Sequence, residues 1–156
     1  MRKLLNHRSD RHRREPRMAC RWRGAAMIEA VFVLFILLVL TFGTVEFGYF
    51  FFVKHSLQGA AREGARAAIV PSADNNAVIK AVVDSLYLAG LNNSSLTLDS
   101  RYTLKLTPAN VATAAQGSPV TVELSAKWVS YGVRPLGDLL IKSDKIVKGT
   151  TTMRKE

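Results

Sequence analysis

The residue of this 156-residue chain whose type and position most suggest chemistry is a carboxylate in an apolar setting. Glu29 stands five residues after Gly24 in Gly24-Ala25-Ala26-Met27-Ile28-Glu29. This small-residue junction separates a cationic leader from membrane-like sequence. An ionised side chain at the centre of a membrane helix costs roughly 2.5–3.5 kcal/mol on insertion scales. Glu29 therefore either lies at the membrane edge, where the cost is small, or has a partner. The junction itself is unusual in order. A secretory signal places its small-residue cleavage site after an apolar region of about 7–15 residues, whereas here Gly24, Ala25 and Ala26 come before the apolar run. A cut at this point would remove the leader and leave the span in the mature chain.

No other constellation has the spacing of a reactive centre. His7 and His12 are in the leader, His55 is alone beyond the apolar run, and Cys20 is the single cysteine. No intrachain disulfide, thiolate metal site or histidine-based triad can be assembled from that set. Asp74, Asp84, Asp99, Glu123, Asp138, Asp144 and Glu156 are scattered without catalytic spacing, and the glycines form no phosphate loop. No enzyme activity, metal or cofactor is expected.

The elements that position Glu29 begin with charge. Nine cations (Arg2, Lys3, Arg8, Arg11, Arg13, Arg14, Arg17, Arg21 and Arg23) precede Gly24 against Asp10 and Glu15, so +7 of the net +10 belongs to the leader. Beside an apolar span this asymmetry holds the flank in the cytoplasm. The nearly balanced body has no basic stripe with interleaved aromatics, so no nucleic-acid partner is expected. Residues 30–53 contain Glu46 as their one charged residue. At ~1.5 Å per residue they form a helix of about 36 Å, enough to cross a ~30 Å hydrocarbon core with tilt. Trp22 flanks one end, and Phe42, Phe47, Tyr49, Phe50, Phe51 and Phe52 crowd the other, which reads as an interfacial aromatic belt. Glu46, between Gly43 and Gly48, either snorkels to the headgroups or pairs with a neighbouring subunit whose helix the glycines admit.

The helix continues past the bilayer to the stop at Pro71. Its alanines favour helix, giving one predicted rod over 25–69 of about 68 Å. Ala60, Ala61, Gly64, Ala65, Ala67 and Ala68 make its end almost all small. Arg62, Glu63 and Arg66 are set among them, with Glu63 and Arg66 at i,i+3. These charges are either a solvated face with a local ion pair or an assembly patch for helix packing and ion pairing. Asp74-Asn75-Asn76 then offers a cap to a second helix running to about Leu88, before the stop signals Gly90 and Asn92-Asn93. From Ser94 the apolar period becomes two. Leu96 and Leu98, then Tyr102, Leu104 and Leu106, and later Val120, Val122, Leu124 and Ala126 predict strands, with a third over 145–154 and a loop over 108–119. The expected architecture is α+β: a long helix, transmembrane at its start, then a small domain of one helix and a roughly three-stranded antiparallel sheet. The organisation is a basic cytoplasmic leader over 1–24, the long helix over 25–70 with its span at about 30–53, and a periplasmic domain over 71–156.

Arg23-Gly24-Ala25-Ala26-Met27-Ile28-Glu29, the apolar run, Val45-Glu46-Phe47-Gly48 and Ala60-Ala61-Arg62-Glu63-Gly64-Ala65-Arg66 together resemble the TadE-like family, the pseudopilins of tight-adherence (Flp-type) pilus systems. The resemblance is strong over 23–70. Beyond that it extends only to domain size, the α-then-β order and the Thr-rich tail ending in Met153-Arg154. It implies cutting by a prepilin peptidase after Gly24, with Ala25 the new N-terminus and Glu29 its fifth residue. Glu29 would then pair with the α-amino group of an adjacent subunit, setting the relative height of the two helices. It further implies a single-pass protein of the bacterial inner membrane, with its N-terminus cytoplasmic and its C-terminal domain periplasmic. The implied partners are the peptidase, other pilins or pseudopilins and pilus assembly proteins. Two features depart from the major pilins: Ala30 follows Glu29 where they carry Tyr, and the C-terminal domain is large. Both point to a minor component that primes, caps or adapts the machinery. The 24-residue leader is long, and Met18 offers an alternative start. An uncleaved, signal-anchored periplasmic interaction or adhesion module is the other expectation.

Overall fold

The computed structural model describes residues 19–132 and 135–156, with 19–23 as backbone alone. The leader charges, Cys20, Met18 and Trp22 thus lie outside the described residues or side chains. Helix α1 runs over Ala19–Ile69, starting six residues earlier than the composition predicts. It is long and apolar enough to cross a membrane. Helix α2, Asn75–Leu88, and strands β1 (Tyr102–Thr107), β2 (Pro119–Lys127) and β3 (Ile146–Arg154) follow. Short 3₁₀ turns stand at Val111–Thr113 and Trp128–Ser130. The predicted α+β architecture is what the chain adopts. The chain divides at Leu38 and Val39 into two compact units, the second running from Val39 to Glu156.

The second unit is built from period. Along α1 the inward positions Gly43, Glu46, Tyr49, Phe50, Val53, Leu57, Ala60, Ala61, Gly64, Ala65 and Ala68 recur at three and four residues, with side chains buried or half-buried. That is the stripe a helix presents to a core. The strands form an antiparallel meander in the order β1-β2-β3. Val120, Val122, Leu124 and Ala126 of β2 alternate as buried residues, and cross-strand pairs such as Leu104 with Leu124 and Leu106 with Val122 extend the same face. On α2, Val78, Val82, Val83 and Leu86 are buried.

Small residues set how closely these layers meet. A Cβ at Gly149 of β3 would collide with the Leu57 carbonyl and the Gln58 amide, and one at Gly64 would come within 2.6 Å of a Val82 methyl. The Ala/Gly stripe predicted as a possible helix-packing patch is therefore used within the chain, against its own sheet and α2. Gln58 completes this contact. Its amide donates to the Thr150 carbonyl at 2.8 Å and accepts from the Thr150 N–H at 3.2 Å, covering the open side of the edge strand, where unpaired backbone otherwise invites aggregation. On the exposed side of the sheet, Lys148 pairs with Glu123 at 2.8 Å, and that pairing holds the Glu123 carboxyl below the usual glutamate value.

Capping follows the sequence signals. Asp74 accepts from the Ala77 N–H at 2.8 Å. Gly90 takes a positive φ of 71°, so that the Leu91 N–H reaches the Leu86 carbonyl at 2.9 Å in a Schellman turn. Asn75 instead ties α2 to the loop before β2, through the Ala109 carbonyl and the Val111 N–H. The alternation at Leu96 and Leu98 yields no strand. Asn92, almost fully buried, donates to the Thr97 carbonyl at 2.8 Å and accepts from the Asp99 N–H at 3.0 Å. These bonds draw residues 92–99 into a closed loop, leaving Leu96 exposed and Leu98 half-buried against the core. Side chain–backbone bonds of this kind compete directly with a ladder.

Gly149→Ala tests the close approach. Overpacking of this kind costs about 1–3 kcal/mol, so the purified protein should lose at least that much on urea unfolding. Gly48→Ala, where a Cβ meets open space, should leave the midpoint unchanged or raised.

Candidate functional site: the apolar helix and its carboxylates

The first unit is described from the helix alone. Gly24, Ala25 and the residues up to Leu38 are exposed, and nothing lies within 4 Å of a Cβ at Gly24. Met27, Ile28, Val31, Phe32, Leu34 and Phe35 are each more than half exposed. In water such a surface would associate or aggregate; in lipid it is matched to its solvent. Glu29 is exposed on this stretch beside Ala26, Ala30 and Val33, accessible to the headgroups or to another chain. The predicted processing residues Gly24 and Ala25 lie within helical backbone.

Glu46 has a different setting. It lies in the second unit with no exposed surface, on the stripe that faces the domain. One carboxylate oxygen accepts from the Leu136 N–H at 3.3 Å, and Oε1 has no hydrogen-bond partner among the described residues. The sequence offered snorkelling or a neighbouring subunit; the structure shows the 135–141 loop of the same chain meeting the carboxylate. Gly43, one turn earlier, takes the Leu140 side chain against its backbone, with 3.3 Å left for a Cβ.

The aromatic run divides in the same way. Tyr49 and Phe50 turn inward. Phe50 meets Trp128 edge-on at 5.2 Å, while Tyr49 lies 5.9 Å from Trp128 and 6.3 Å from Tyr131. Phe42, Phe47, Phe51 and Phe52 stay exposed, the part of the run left for the expected belt. Trp128 and Tyr131, both buried, complete the membrane-proximal core, a role that sequence reading did not assign them. A lone Trp just past an alternating strand was the available signal. Burial and the neighbouring Tyr102 push the Tyr131 hydroxyl far above its ordinary value. Tyr102, also raised by burial, donates to the Leu91 carbonyl. Both phenols stay protonated, so this cluster is structural and carries no ionisable switch near neutral pH.

Arg62, Glu63 and Arg66 all face outward. Glu63 and Arg66 approach at 3.6 Å with more than half of each side chain exposed, so the pair contributes little to the fold and is available to an external surface. Within the second unit these outward side chains lie apart from the buried Glu46. Among the described residues no group of His, Cys, Asp and Glu could hold a metal ion.

Residues 24–66 match the family model described as TadE-like protein, a family associated with tight-adherence (Flp-type) pilus systems. The match spans the exposed apolar stretch, Glu29, Glu46 and the Arg/Glu block that holds Glu63. No curated protein and no solved structure matches the chain.

The covered carboxylate leads to a sharp expectation. A buried carboxylate with one weak partner among the described residues is costly to keep, and a neutral acceptor of the same shape lowers that cost. Glu46→Gln should therefore hold or raise the chemical denaturation midpoint of the purified protein. Glu46→Ala, which leaves the Leu136 N–H unpaired and opens a cavity, should lower stability by about 1–3 kcal/mol.

Proposed function

We propose that this TadE-like chain is a minor pseudopilin-like, single-pass membrane component of a tight-adherence pilus assembly system. A prepilin peptidase matures it after Gly24, and it acts through helix packing with no catalysis of its own. The observation that carries this reading is the uncovered apolar surface over 25–38 that holds an exposed Glu29 five residues after Gly24. A simple anchor needs the apolar surface; it does not need the carboxylate. Cleavage after Gly24 frees an α-amino group at Ala25. On an adjacent subunit, that ammonium is the group that would offset the cost of Glu29 in low dielectric, and the pairing would set the axial offset of two helices. The nine leader cations hold the processed end on the cytoplasmic side of the inner membrane, which places the folded domain in the periplasm. There, the outward Arg62, Glu63 and Arg66 are positioned to meet other pilins or assembly proteins. Priming, capping or adapting the machinery fits a subunit whose small-residue face is already occupied by its own sheet.

The mature N-terminus tests the processing step. Edman or mass-spectrometric sequencing of the membrane-extracted protein should begin at Ala25, and a bulky Gly24→Phe should leave the leader attached. An intact leader in the unaltered protein would favour the uncleaved signal-anchored module instead. Glu29→Ala should preserve membrane insertion and protein level while cutting pilus assembly by about tenfold or more, equivalent to ~1.4 kcal/mol in subunit contact. Assembly at the unaltered rate would remove Glu29 from the mechanism.

A further inference from the structure

We infer that the loop over 135–141 is a membrane foot: its leucines enter the outer boundary of the same bilayer that α1 crosses, so the domain rests on the lipid rather than standing off on its helix. This rests on the helix crossing a membrane and is independent of any role in pilus assembly. Counted along the sequence, Gly43 comes 19 residues after Gly24, which at ~1.5 Å per residue is about 29 Å, the thickness of the hydrocarbon core. The bilayer's apolar layer therefore ends near Gly43 when it begins near Gly24.

At that level the loop is seated. Leu140 packs on Gly43, and the Leu136 N–H meets Glu46. Leu139 is 71% exposed and Leu140 38% exposed. On the helix turns that carry the loop, Val45 and Phe47 are also exposed, so apolar side chains are open to the surroundings on both the loop and this part of the helix. Charge resumes directly after it at Lys142, Asp144 and Lys145, all exposed, as expected for a boundary between acyl chains and headgroups. Asp138, within the loop, accepts from the Ser143 hydroxyl at 3.2 Å, which turns it toward that charged end. The buried Glu46 also gains a reason. The loop that inserts is the loop that covers the carboxylate, so the charge is kept from lipid by the segment that meets lipid.

Depth-resolved fluorescence tests this on the full chain in phosphatidylcholine/phosphatidylglycerol vesicles. With Cys20→Ser as background, Leu139→Cys carries an environment-sensitive nitrobenzoxadiazole label, and Leu34→Cys and Leu88→Cys carry the same label as references for the span and for water. The expected result is a blue-shifted Leu139 label, quenched by lipids bearing a nitroxide near the headgroup and several-fold less accessible to iodide than the label at Leu88. An unshifted, iodide-accessible Leu139 label overturns the foot while a lipid-quenched Leu34 label keeps the span. Protection from both quenchers overturns it in favour of a protein surface, such as a second copy, covering the loop. A water-exposed label at Leu34 overturns the span and the foot together.

Discussion

The contact on which the rest of the structure depends is the approach of β3 to the backbone of α1, with Gly149 over Leu57 and Gln58. No side chain fits between strand and helix there, so the helix must offer Ala and Gly along that face, and it does from Ala60 to Ala68. Close packing at this density leaves no room for an extra methyl. The same approach brings the edge of β3 within reach of Gln58, whose amide takes the place of a neighbouring strand at Thr150. Helix, sheet edge and α2 are thereby held to one geometry by small residues, with the apolar clusters around Leu57, Leu86, Leu124 and Trp128 packed about them.

One helix thus carries two kinds of surface. From Gly24 to Leu38 its surface is exposed and, Glu29 apart, apolar, as a bilayer requires. From Val39 onward one stripe turns to its own domain while the opposite side stays apolar and then, past Phe52, becomes charged. Glu46 sits where these regimes meet. Covering it with the 135–141 loop satisfies one oxygen and removes the carboxylate from its surroundings, and the Tyr49, Phe50, Trp128 and Tyr131 cluster closes the core immediately above. Buried polar atoms with no hydrogen-bond partner among the described residues gather in this zone, Glu46 Oε1, Trp128 Nε1 and the Tyr131 hydroxyl. The neighbouring Tyr102 has the Leu91 carbonyl, and Asn92 and Asn75 have backbone partners.

Much of the architecture was legible in the residues. The period of 3.6 on α2, the period of two on β1 and β2, the caps at Asp74 and Gly90, and the length of the apolar run all express local physics that a chain obeys before it folds. Leu96 and Leu98 show where such reasoning stops. Their alternation is as regular as that of Leu104 and Leu106, yet one buried Asn92 closes the segment into a loop. The amide's partners at Thr97 and Asp99 come from its own neighbourhood, but its burial comes from the fold.

Sequence alone determined the membrane-length helix, the position of Glu29 behind a small-residue junction, the concentration of charge in the leader and the α-then-β order of the domain. Tertiary structure decided what covers each surface. It assigned the small-residue stripe to the chain's own sheet, divided the aromatic run between core and belt, buried Glu46 under a loop ninety residues away, and left Arg62, Glu63 and Arg66 outside. The physical reason is that periodicity and composition report how apolar, small or charged a surface is. The partner of that surface is chosen by long-range packing, and for Ala60, Gly64 and Glu46 a neighbouring helix and a folded domain make the same demand.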